Sequence, residues 1–175
     1  MIRLAAAVSL LVLGSIGCDS ANHVITALDG TSDSTYWFWA RLQGIQWHGN
    51  REITALTEAN AAAARASDID GVANGFSALS QKHSHLATQL TALITDDVDE
   101  IALEYRQRLV AAHTALSAAS DVHASATRSR DMQALSEEKA SLRDLLTDYV
   151  QLCNERNAIM STLNARYDRD FDVAQ

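Results

Sequence analysis

The sequence contains no proline, and only seven of its 175 residues are glycine. Sandwiches and barrels built from many short strands need turn residues at frequent intervals. Their scarcity argues against an all-β fold and for long helices with few connections. Cysteine is equally sparse, with Cys18 and Cys153 alone. A disulfide-framed miniature domain is thereby excluded. Glu-x-x-His, His-Glu-x-x-His and Cys-x-x-Cys-His are all missing, as are a nucleophile elbow and a phosphate-cradling glycine loop. The chain therefore lacks the usual signatures of di-iron bundles, zinc proteases, c-type haem proteins and serine hydrolases. We expect no enzyme activity and no cofactor. Lysine occurs twice against twelve arginines.

What is present points the same way. Hydrophobic residues make up 47% and charged residues 21%, an ordinary balance for a globular protein. Alanine, leucine, glutamine and arginine are plentiful, and all favour helix. The net charge is −8. Such a surface repels nucleic acid and anionic headgroups, so no nucleic-acid partner is expected.

The amino terminus differs from the rest. Arg3 is followed by an uncharged run from Leu4 to Gly17, ended by Asp19 and Ser20. Fourteen residues are too few to span a bilayer, which takes roughly 20, but they suit the apolar core of an export signal. Within it, Ser15-Ile16-Gly17-Cys18 resembles the lipobox of bacterial lipoproteins, with small Gly17 before the cysteine. The resemblance implies cleavage between Gly17 and Cys18, acylation of the Cys18 thiol, and a cell-envelope location facing the periplasm or exterior. Two or more acyl chains hold a protein stably at a membrane, where one does not. Asp19 after the cysteine resembles the inner-membrane retention signal of enteric bacteria. Ordinary signal cleavage, giving a free secreted protein, is the alternative, since Ser15 and Gly17 are both small.

After cleavage, residues 18–33 read as a polar tether, ending in the turn formers Asp29-Gly30-Thr31-Ser32-Asp33. Four amphipathic stretches follow. The first, about 34–66, carries Phe38, Leu42, Ile45, Gly49, Ile53 and Leu56 on one stripe, and Asp68 caps what comes next. The second, about 71–94, carries Val72, Phe76, Leu79, His83, Leu86, Leu90 and Leu93 at alternating spacings of four and three, a coiled-coil-like seam. Asp97 and Glu100 have the spacing of a capping box for the third, about 98–126. Thr127 to Arg130 reads as a turn before the fourth, about 131–168, with an acidic tail expected to fray over 169–175. The fold class expected is all-α, an antiparallel up-down four-helix bundle over 34–168. A helical hairpin completing its core as a homodimer is the alternative.

The candidate contact residues are aromatic. Tyr36, Trp37, Trp39 and Trp47 surround a helix whose core stripe holds only Phe38. One helix cannot bury a full collar of rings, so these side chains either form a surface for a membrane or protein partner or fold over the bundle end. His83 on the second helix and His113 on the third come within about one turn of each other, close enough for a two-ligand metal pair. No third ligand stands out. Cys153 reads as a small buried hydrophobe, with an intermolecular disulfide as the alternative. Arg156, on the apolar face of the fourth helix, is expected to pair with Glu100 or Glu104. The function expected is a lipid-anchored, non-enzymatic scaffold or interaction module with a protein partner in the envelope. The alternative is a small-ligand or metal-binding, sensor-like bundle.

Overall fold

A computed structural model describes residues 32–172; the expected export signal, Cys18 and most of the expected tether lie outside them. The described residues form four helices and no strand: α1 (Ser32–Arg65), α2 (Ile69–Thr91), α3 (Glu100–Ser129) and α4 (Met132–Tyr167). Helix α1 starts two residues inside the stretch read as tether. None of the helices is long and apolar enough to cross a membrane.

The connections follow local chemistry. Asp68 and Asp131 cap α2 and α4 by accepting backbone N–H bonds through their carboxylates. The third cap departs from expectation. Asp99, rather than Asp97, accepts the N–H of Ile101, while Asp97 sits at φ 57° in the loop. With Asp97 in the left-handed region the chain cannot start its helix there, so the Asp97–Glu100 capping box does not form. The break expected near 127–130 is real. Arg130 adopts φ 55°, and α3 ends at Ser129. No glycine occupies these connections; Ser67, Asp97, Arg130 and Asp168 take the left-handed conformation instead.

Contacts between helices follow a regular order. Gly49 of α1 meets Leu86 of α2, and Asn60 meets Gly75. A side chain at Gly49 would come within 2.4 Å of Leu86, so glycine there lets the two helices approach closely. Between α2 and α3, Ser80 meets Ser117 and His83 meets His113. Arg108 of α3 pairs with Glu155 of α4, and Asp99 pairs with Arg166. Helix α4 returns to α1 through longer polar side chains: Tyr149 to Gln46 and Asn50, and Arg156 to Gln43.

The apolar core forms two clusters. One contains Val72, Phe76, Leu79, Leu116 and Leu142. The other contains Phe38, Trp39, Leu42, Leu90, Tyr105, Leu109, Leu163 and Phe171. Phe171 belongs to the segment read as a frayed tail. It is fully buried against Tyr36 and Tyr167, and its backbone N–H donates to Asn164. Arg169 pairs with Asp33 and stacks over Tyr36, so residues 169–172 are docked. An aromatic ring and a paired arginine outweigh the fraying that acidic composition alone suggests.

Candidate functional site

Two features stand out: a polar chain through the middle of the body and an aromatic group at one end.

The polar chain contains a member from every helix. On each helix that member falls between residues of the two apolar clusters in sequence. The Tyr149 hydroxyl lies 3.0 Å from Gln46 Oε1 and 2.8 Å from Asn50 Oδ1, and its single proton is shared between those two acceptors. Gln46 Nε2 lies 3.0 Å from His113 Nε2, and His113 Nδ1 lies 2.9 Å from His83 Nδ1. An amide nitrogen only donates, so His113 Nε2 accepts. The His113 proton then sits on Nδ1 and is donated to His83 Nδ1, which leaves the His83 proton on Nε2. One tautomer set satisfies both the Gln46–His113 and the His113–His83 contacts, and both rings are neutral in it.

Burial explains why they stay neutral. It pushes the His83 imidazole from 6.5 down to about 4. His113 falls to about 3, first through burial and second through the neighbouring His83 charge. His123, packed on Phe76, is lowered by burial too. Burial raises the Tyr149 phenol well above its usual range, with Cys153 beside it adding to the effect. The two histidines thus meet directly, closer than sequence spacing alone suggests. Among the described residues no three His, Cys, Asp or Glu side chains converge as metal ligands. What this chain can do is hold four helices in one register, since any slip leaves a buried donor or acceptor unmet.

The aromatic group divides. Trp39 has no exposed surface and packs on Tyr105 with ring centroids 5.5 Å apart. Its placement removes it from the expected contact surface. The reason is the width of α1's buried face. Phe38, Leu42, Gln46, Trp39 and Gln43 are all buried, an arc of roughly 140° at about 100° per residue. Tyr36 is half-buried between Trp37 and Phe171. Trp47 is half-buried, edge-on to His48 and beneath Arg51. Trp37 keeps 37% of its surface exposed, and Ile94 in the loop after α2 keeps 68%.

Arg156 donates to Gln43 and Asn157 and does not pair with Glu100 or Glu104. Arg108 takes Glu155 instead, one position from Arg156. Cys153 is half-buried against Tyr149. Cys18 and Gly17 lie outside the described residues. Gln46, Asn50 and Asp99 carry the densest polar connections and were not singled out from the sequence. His83 on the α2 stripe, with His113 beside the stripe of the third helix, is the signal in the sequence that points towards the central chain. Comparison with protein-family models, curated proteins and solved structures finds no match to this chain.

Proposed function

We propose that this chain is a lipid-anchored protein of the bacterial cell envelope. Its helical domain is non-enzymatic and acts as a scaffold or interaction module facing the periplasm or exterior. The anchor reading rests on the uncharged run Leu4–Gly17 and on Ser15-Ile16-Gly17-Cys18. The up-down antiparallel bundle is supported by the order of contacts. Residue numbers fall on one helix as they rise on its neighbour, as in Gly49 with Leu86 and Asn60 with Gly75. The same holds for Arg108 with Glu155 and Asp99 with Arg166. In that arrangement Trp37 and Ile94 share the end of the bundle where the tether enters at Ser32.

This coincidence is the observation that carries the interaction reading. Exposed apolar side chains are ordinary when scattered. Here an exposed tryptophan and an exposed isoleucine face the side from which an anchored protein meets its surroundings, with half-buried Tyr36 supporting the ring of Trp37. Tryptophan is favoured at protein hot spots and membrane interfaces alike. The acidic surface disfavours anionic lipid, so the occupant in this reading is an envelope protein, or a second copy of this chain.

Two measurements test it. A Cys18→Ser chain is expected to lose lipid labelling and to leave the membrane fraction; retention indistinguishable from the parent would end the anchor reading. Photo-crosslinkers placed at Trp37 and Ile94 in envelopes of the native host should give discrete adducts. Crosslinkers at Val122 and Met132, exposed at the far end, should give none. Equal adduct patterns at both ends would end the interaction reading.

A further inference from the structure

A groove of about 500 Å³ lies between α1 and α2, outside the polar chain and the aromatic end. Its floor and walls include Gly44, Ile45 and Leu93, and its rim carries Arg41, His48 and His85. Lys82 and Glu52 also line it and pair with one another, so their charges offset. Arg41 has no ion pair among the described residues and is exposed. The groove therefore presents one uncompensated guanidinium and two imidazoles beside an apolar floor, on a chain of net charge −8.

Gly44 is the second, independent observation. It lies in the interior of a 34-residue helix, where glycine is disfavoured relative to alanine. At Gly49 close packing against Leu86 accounts for the choice. At Gly44 nothing does: an added Cβ would meet no atom within 4 Å. Neither helix packing nor a positive φ requires glycine there. What the missing side chain does is keep the groove open between Arg41 and His48, which are two turns apart on the same face, about 10 Å along the axis.

We propose that this groove binds a small organic carboxylate with an apolar body, its charged end on Arg41 and its body over Gly44, Ile45 and Leu93. A guanidinium recognises a carboxylate through two parallel N–H···O bonds, which neutral or purely apolar molecules cannot supply. The apolar floor separates such a molecule from bare inorganic anions. The site does not depend on the lipid anchor or on the exposed end, so it can fail or stand separately from them.

Phenylacetate serves as the probe, with phenylacetamide as its neutral isostere and inorganic phosphate as a bare anion. Titration calorimetry on the full chain should give saturable binding of phenylacetate. The amide should bind at least about tenfold more weakly, and phosphate should not compete. Arg41→Ala, at an exposed position, should weaken phenylacetate by about tenfold or more while leaving the helical circular dichroism unchanged. Gly44→Leu should abolish binding by filling the groove. Gly44→Ala should raise the melting temperature by about 2–4 °C, because a helix-favouring side chain enters open space. Absence of saturable phenylacetate binding, equal affinity for the amide, or full binding by a folded Arg41→Ala or Gly44→Leu chain would each overturn the proposal. A lowered melting temperature in Gly44→Ala would do the same, since it would show that the fold itself needs the glycine.

Discussion

Acidification from about pH 7 to about pH 4 is expected to remove on the order of 5 kcal/mol of stability, most or all of what holds a domain of this size. The main cause is the His83–His113 pair, with His123, also lowered by burial, adding to it. In the unfolded chain both imidazoles titrate near 6.5. In the folded chain burial lowers them to about 4 and about 3. The unfolded state therefore binds more protons throughout that interval, and stability falls as pH falls. The stabilisation is fully present above 6.5, declines through the window, and is exhausted once the pH drops below the folded values. Each histidine contributes a slope approaching 1.4 kcal/mol per pH unit, so the pair approaches about 2.7. Protonation also breaks the hydrogen bonds. A protonated His113 donates from both nitrogens, and it would face the amide N–H of Gln46 and the ring of His83 with no acceptor on the Gln46 side. Denaturant melts at half-unit pH intervals measure the slope directly. His83→Gln should cut it by up to about half whatever that variant's absolute stability, with His113 and His123 carrying the remainder. A slope unchanged by the substitution would show that other groups carry the acid response. Asp99 adds to the loss only at the foot of the window: its carboxyl is held below 3.8 in the folded chain, so its contribution fades from about pH 5 downward, and the histidine slope is read between about pH 7 and about pH 5.

The same central chain shows where sequence reading succeeds and stops. On α2 the alternating spacing of four and three located every buried member of the stripe from Val72 to Leu90. That helix lies between α1 and α3, so its apolar side chains and its buried face coincide. On α4 the correspondence is poor. Spacings of three, four and seven put Met132, Leu135, Leu142, Leu146, Tyr149, Cys153, Met160, Leu163 and Tyr167 on one face, yet of these only Leu142 and Leu163 are buried, while Leu152, off that face, is buried as well. Helix α4 reaches α1 through Tyr149 and Arg156, whose polar ends span the gap, so apolar periodicity underreports its contacts. Helix α1 is masked differently. Of its ten buried residues, Thr35, Gln43, Gln46 and Asn60 are polar. A hydrophobic pattern counts those positions as surface, so Trp39 reads as part of the aromatic collar and not as core. Buried glutamine becomes legible only when its partners are known, and they come from two other helices, α3 and α4. The candidate groove was illegible for a similar reason. Gly44 and Gly49 look alike in sequence, and only the spatial neighbours tell a packing glycine from one that leaves space.

The second large effect is expected at Asp99, with Asp99→Ala costing about 2–3 kcal/mol and lowering the melting temperature by about 5–10 °C. The side chain is 2% exposed. One carboxylate oxygen caps α3 through the N–H of Ile101 at 2.9 Å. The other accepts from the Tyr167 hydroxyl at 2.8 Å and from Arg166 at 2.6 Å. Its backbone N–H donates to Thr35 Oγ1, so one residue ties α1, α3 and the end of α4 together. Burial, the largest single influence, pushes the carboxyl up. The bonds from Tyr167, Ile101 and Arg166 together outweigh it and leave the group below 3.8. The cap contributes about 1 kcal/mol, and the stranded Tyr167 hydroxyl contributes a similar amount. Arg166 adds little, since about half of it faces solvent and can rehydrate. Asp99→Asn keeps an oxygen for the cap and should cost about half as much. Asp97→Gly separates the two capping schemes. Asp97 is exposed at φ 57°, so glycine there should leave stability unchanged or raise it by up to about 1 kcal/mol. If Asp97 were instead the cap, its substitution would destabilise the chain and Asp99→Ala would be mild. Urea melts of the three variants, read at one pH above 6.5, decide between the two.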